Sequence, residues 1–138
     1  MPTTEAMKRM TKANSRERQF AEVAMMSQMI RKSLRKLNVL EEIFYGHTRH
    51  KRIVLLRMAM CAVLRERYLL SFPLIAYVLG RPCHTTTLTA YHKWQALDKS
   101  HHLPSDASMG EFAGKTYADV FVRLLNVMEE AMKEGGAK

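Results

Sequence analysis

The sequence is poor in several things, and each shortage removes a class of protein. Only two of its 138 residues are cysteine. That is too few for the disulfide framework that staples small secreted domains, so Cys61 and Cys83 predict free thiols in a reducing, cytoplasmic setting. Cys61, inside an apolar helical run, reads as a small core residue. Long hydrophobic runs are missing as well. The longest stretch without a charge, Tyr68 to Gly80, is too short to span a bilayer and contains Pro73. The opening residues, MPTTEAMKRMTKANSRERQF, lack the apolar segment of a secretory signal. Acidic residues are scarce too: 13 against 22 basic ones, a net charge of +9.

That charge is large for one domain, and it predicts a polyanionic partner, nucleic acid before an anionic membrane surface. It is also lopsided. Of the basic residues 18 precede Ser100, with only 7 of the acidic ones; the remainder of the chain is slightly acidic. The electrostatic footprint therefore lies before Ser100. With 47% hydrophobic and 25% charged residues, the composition is that of a globular domain. Eleven methionines predict a soft core, or a helix surface that repacks against a partner.

Periodicity predicts helices throughout, with no strand and no internal repeat. Residues 1–14 read as a flexible basic N-terminus. Asn14 or Ser15 caps a helix whose stripe is Phe20, Val23, Ala24, Ile30, Leu34 and Leu37. Asn38 reads as a break and a new cap before VLEEIFY, which Gly46 ends as a C-cap glycine. The basic loop HTRHKR leads into a long helix with Ile53, Leu56, Met60, Val63 and Arg67 on one side. Ser71 caps the next helix, with Pro73 in its first turn. Gly80 ends that helix, and "GRPC" leads to another from His84 to about Leu97. Ser108 and Glu111 have capping-box spacing and predict the start of a final helix of roughly 25 residues. Its stripe is Phe112, Tyr117, Val120, Phe121, Leu124, Leu125 and Met128. The fold class is thus all-α, a bundle of about six helices.

Two motifs mislead. GEFAGKT, Gly110 to Thr116, looks like a phosphate-binding loop but has one residue too few between its glycines and no strand before it. Six histidines and two cysteines offer no zinc-finger spacing. No catalytic constellation is visible either, so a non-enzyme without metal or cofactor is expected.

The informative segment is 71–97, with the proportions of helix, tight turn, helix. In its second helix Leu88, Tyr91 and Trp94 recur at three-residue steps as an anchoring face. His84, Thr85, Thr89, His92 and Lys93 fall on the other. A helix N-terminus offering small polar, imidazole and basic groups suits a DNA major groove.

Here SFPLIAYVLGRPCHTTTLTAYHKW resembles the C-terminal DNA-binding domain (domain IV) of the bacterial replication initiator DnaA, in the Trp-repressor-like helix-turn-helix superfamily. The shared pattern is S-x-P-x-I-G/A, a Gly/Arg turn, D-H-T-T-V and a later Lys. Ser71, Pro73, Ile75, Ala76, Gly80, His84, Thr85, Thr86 and Lys93 match it, and Arg49 and Arg57 match upstream. The clear resemblance covers about Arg49 to Leu97, with a looser one back to about Gln28; the expected organisation is a DNA-binding domain over 15–97, then a linker and amphipathic C-terminal helix over 98–138. The resemblance implies base contacts from His84 and Thr85, with Thr89 and Cys83 on the same helix start, and from Arg49 in the minor groove. It implies phosphate contacts from Arg57, Arg65, Thr86 and Lys93, with His92, Lys51, Arg52 and Arg81 nearby. Three departures stand out. Cys83 replaces the pattern's Asp and cannot accept a hydrogen bond from cytosine comparably. Leu74 replaces an acidic residue. Arg81 comes one place early, with Pro82 after it.

The expected function is a stand-alone, sequence-specific regulator of transcription, associated with the nucleoid and without the initiator's ATPase domain. Phage-derived regulators, including activators of gene-transfer-agent clusters, would fit it. The alternative is a replication protein, an adaptor or competitor at initiator-box-like sites. A third class is a protein-interaction module with an incidental basic surface. The C-terminal helix would either close the core or dock a partner such as RNA polymerase or a second regulator.

Overall fold

The structure, a computed structural model, describes residues 21–136. The expected basic N-terminus, its Asn14 or Ser15 cap and Phe20 lie outside the described residues. Within them the chain is all-helical, with no strand. Helix α1 covers residues 21–36, α2 Glu41–Tyr45, α3 Lys51–Glu66, α4 Phe72–Val78, α5 His84–Ala96 and α6 Tyr117–Gly136; a 3-10 turn occupies Ala107–Phe112. No helix among the described residues is long and apolar enough to cross a membrane.

Helix α3 is the axis of the bundle, contacted by α2, α4, α5, α6 and the 3-10 turn. Periodicity gives it one apolar side; the structure buries its middle nearly all round. Leu55, Leu56 and every residue from Ala59 to Leu64 are buried, the mark of a helix packed on all faces. Arg67, placed by spacing on the apolar side, is exposed and pairs with Glu129 of α6 at 3.1 Å. In α1 the stripe is likewise shifted. Ala24 is exposed, whereas Met26, Met29 and Ser33 are buried. Ser33 is tolerated inside because its hydroxyl donates to Met29 O at 2.7 Å.

Two helices end in the same way. Asn38 has a φ of 56°, with Val39 N donating to Leu34 O and Asn38 N to Arg35 O. This is a Schellman closure, so Asn38 terminates α1 and does not cap α2. The N-cap of α2 is Leu40, whose side chain has no oxygen to offer. Gly80 closes α4 with the matching bonds, Arg81 N to Ala76 O and Gly80 N to Tyr77 O, at a φ of 66°.

The C-terminal segment departs from expectation at its start. Ser108 and Glu111 do not open a continuous helix, because Gly110 adopts φ 58°, ψ −130° and breaks it. The working capping box is Thr116 and Asp119: Asp119 N donates to Thr116 Oγ1 and Thr116 N to Asp119 Oδ2, both at 3.1 Å. From there α6 buries Val120, Leu124, Val127, Met128 and Ala131. One hydrophobic cluster runs from Met26 of α1 to Ala131 of α6. Trp94 of α5 stacks on Phe121 and meets Tyr117 edge-on. The C-terminal helix therefore closes the core, and its stripe is used up in doing so.

Candidate nucleic-acid interface

The helix-turn-helix is built by local chemistry. Ser71 is extended, and its hydroxyl accepts from Leu74 N at 3.4 Å. Pro73 sits where no helical N–H is needed. At Gly80 a side chain has no room: a Cβ there would lie 2.8 Å from Tyr45 Cδ1. The turn can thus lie directly on the Tyr45 ring only with glycine. Cys83 is the extended N-cap of α5.

On α5 the inward face is turned relative to the three-residue series. Thr87 and Trp94 are buried, while Leu88 and Tyr91 are only half-buried. The buried Thr87 hydroxyl lies 2.8 Å from His84 O and 3.1 Å from Phe72 O. Cys83, His84, Thr85, Thr86, Thr89, His92 and Lys93 are all exposed. So are Arg49 and Lys51 at the entry to α3. There His50 caps α3, its Nδ1 accepting from Arg52 N at 3.3 Å.

The remaining arginines assigned to phosphate by the resemblance are half-buried and bonded to backbone carbonyls. Gly46 is the C-cap of α2, as expected, but it is extended, with φ −79° and ψ −159°. Glycine is needed there for another reason, since a Cβ would lie 2.8 Å from Glu42 O. The last carbonyls of α2 consequently lack backbone donors and take side-chain ones. Arg57 donates to Phe44 O at 2.8 Å, Thr48 O at 2.8 Å, and Ile43 O and Gly46 O at 3.1 Å. Arg81 donates to Phe44 O, Tyr45 O and Gly46 O. Burial, and then the neighbouring Arg81 charge, lower the Arg57 pKa. Arg65 donates to Leu70 O at 3.0 Å and lies 4.7 Å over the Phe72 ring. Arg52 donates to Leu37 O, with its Nε buried and unpartnered. Arg57 and Arg81 brace the basic loop and the turn, Arg65 the α3–α4 connection and Arg52 the α1–α2 connection; Arg57 has most of its five N–H groups committed.

Between α3 and α5 lies an open cleft of about 460 Å³. Arg57, Arg81, Lys93, Cys83, Thr85, Thr86 and Thr89 line it, over apolar Val54, Met58 and Leu79, and no acidic residue among those described does. Val54 and Met58 carry no polar signal, and only the packing of α3 against α5 brings them to the cleft. The Thr86 backbone N–H, and then its hydroxyl, lower the pKa of the exposed Cys83 thiol. Burial pushes the Cys61 thiol up to about 12. No protein-family model, curated protein or solved structure matches the chain.

Proposed function

We propose that the chain is a sequence-specific double-stranded DNA-binding regulator of transcription, with α5 in the major groove and the loop 47–52 reaching the minor groove. The observation that carries this reading is the outer face of α5. It offers His84, Thr85, Thr86, Thr89, His92 and Lys93 to solvent, without a carboxylate, from a helix-turn-helix held by buried contacts. Thr methyls suit thymine methyls, and hydroxyl and imidazole groups suit base edges. Lys93, Arg49 and Lys51 supply exposed charge for phosphates, which fix register and carry no sequence. Cys83 beside His84 gives a base preference distinct from that of an acidic residue. A protein partner such as RNA polymerase or a second regulator would meet the outward side of α6, where Val122 is exposed.

The test is binding to a pool of bacterial DNA across a salt series. Affinity should fall with a log–log slope of about −0.9 per phosphate contact. Thr85→Ala and His84→Ala should cost roughly 1–3 kcal/mol at the selected site and blur it, whereas Lys93→Ala should weaken all sequences and flatten the slope. No salt-sensitive binding overturns the reading. Genome-wide immunoprecipitation then separates promoters from an origin.

A further inference from the structure

Thr85, Thr86 and Thr87 form one run, yet only the first two face outward. Thr87 is 2% exposed and, with Ser33, is one of two buried polar residues among those described. Its hydroxyl proton is shared between His84 O, in the first turn of α5, and Phe72 O, in the first turn of α4. Its own carbonyl accepts from Cys61 Sγ of α3 at 3.3 Å. With its pKa pushed up to about 12, Cys61 remains a protonated donor at neutral pH. Three helices are thus fastened at a single residue of α5.

We infer that Thr87 is the positioning residue of the recognition helix, setting the angle and depth at which α5 presents His84, Thr85 and Thr89. This rests on the DNA-binding reading. Thr87 stands three residues after His84 and two from Thr85 and Thr89, so a slip of α5 at Thr87 moves all three. A base-edge hydrogen bond holds only over a few tenths of an ångström near 3 Å. A phosphate's attraction to a cation falls off slowly with distance. Loosening α5 therefore degrades discrimination between sequences and leaves the charge contacts in place, a signature that general loss of fold does not share.

The experiment compares the full chain with Thr87→Val, Thr87→Ser and Cys61→Ala. For each, affinity is measured for the selected site and for the same site with one mismatch, with the salt slope alongside. In Thr87→Val the ratio of the two affinities should fall roughly three- to tenfold, the equivalent of one ordinary hydrogen bond. The salt slope should stay at the wild-type value. Thr87→Ser, which keeps the hydroxyl, should restore the ratio. Cys61→Ala removes the second tie and should lower the ratio by a smaller factor, which keeps the test open if Thr87→Val does not fold. Wild-type chain that binds no DNA overturns the DNA reading, and this inference with it. Wild-type binding with an unchanged ratio in the folded variants, or a Thr87→Ser as impaired as Thr87→Val, overturns the positioning role alone.

Discussion

The guanidinium groups of Arg57 and Arg81 meet at one carbonyl: Phe44 O accepts from Arg57 Nε at 2.8 Å and from Arg81 Nη2 at 3.4 Å. Both also reach Gly46 O. Arg81 lies in the turn before α5, so the end of α2 and the helix-turn-helix share a fastening. Arg57→Ala should destabilise the fold by about 1.5–3 kcal/mol, the range for hydrogen bonds from a charged group. Arg81→Ala should cost less, and the double variant less than the sum, because the two share acceptors. Urea unfolding measures all three. An Arg57→Ala variant with wild-type stability and reduced DNA affinity would instead make phosphate contact the main role of Arg57.

Gly80 is held by two constraints at once, a φ of 66° and the Tyr45 ring. Gly80→Ala should cost about 2–3 kcal/mol, combining left-handed backbone strain with the clash. Thermal unfolding followed by circular dichroism checks it. A loss below about 0.5 kcal/mol would mean that the turn shifts off Tyr45 with little resistance.

Leu69 presents the opposite case. It has a φ of 58° and is 79% exposed, so it bears left-handed strain with little burial in return. Leu69→Gly should raise stability by about 0.5–1 kcal/mol, the relief of strain exceeding the added freedom of the unfolded chain. A lower unfolding midpoint in Leu69→Gly would show that the exposed side chain contributes packing.

Much of the helix-turn-helix was legible in advance because its signals are local. Ser71, Pro73, Gly80 and the start of α5 at His84 each depend on backbone geometry within a few residues. What escaped depends on partners distant in sequence. Nothing beside Thr87 in the sequence marks it as buried, because the Phe72 carbonyl that its hydroxyl meets lies in another helix. Arg57 is matched to a phosphate role by the resemblance, and nothing local to it in the sequence shows the four carbonyls that it reaches. Ser108 and Glu111 carry the capping spacing, but Gly110 between them takes a left-handed φ, and the real box begins at Thr116. The outward set on α5 emerged where periodicity put it, although the buried side of that helix did not.

The two thiols should behave oppositely. Cys83 is exposed with a lowered pKa, so iodoacetamide at neutral pH should modify it faster than an ordinary exposed thiol. Cys61 should react only on unfolding. Its raised folded pKa has a further consequence. Above pH 9.0, its ordinary value, the unfolded chain releases the thiol proton while the native chain keeps it until about pH 12. The unfolded state then binds fewer protons, so stability falls with rising pH across that window, by up to about 1.4 kcal/mol per unit from this group. Comparing urea midpoints of wild type and Cys61→Ala between pH 8 and 10.5 isolates it. Parallel curves would contradict the buried placement.

The chain's single tryptophan sits at the seam where α5 meets α6, stacked on Phe121 with the Lys99 ammonium 5.1 Å from its ring. The one strong intrinsic fluorophore therefore lies between the candidate reading helix and the helix that closes the bundle. Its emission reports whether α6 is packed against α5, without any label being added. A denaturant titration followed at this indole and by far-ultraviolet dichroism would reveal whether the two halves melt as one body.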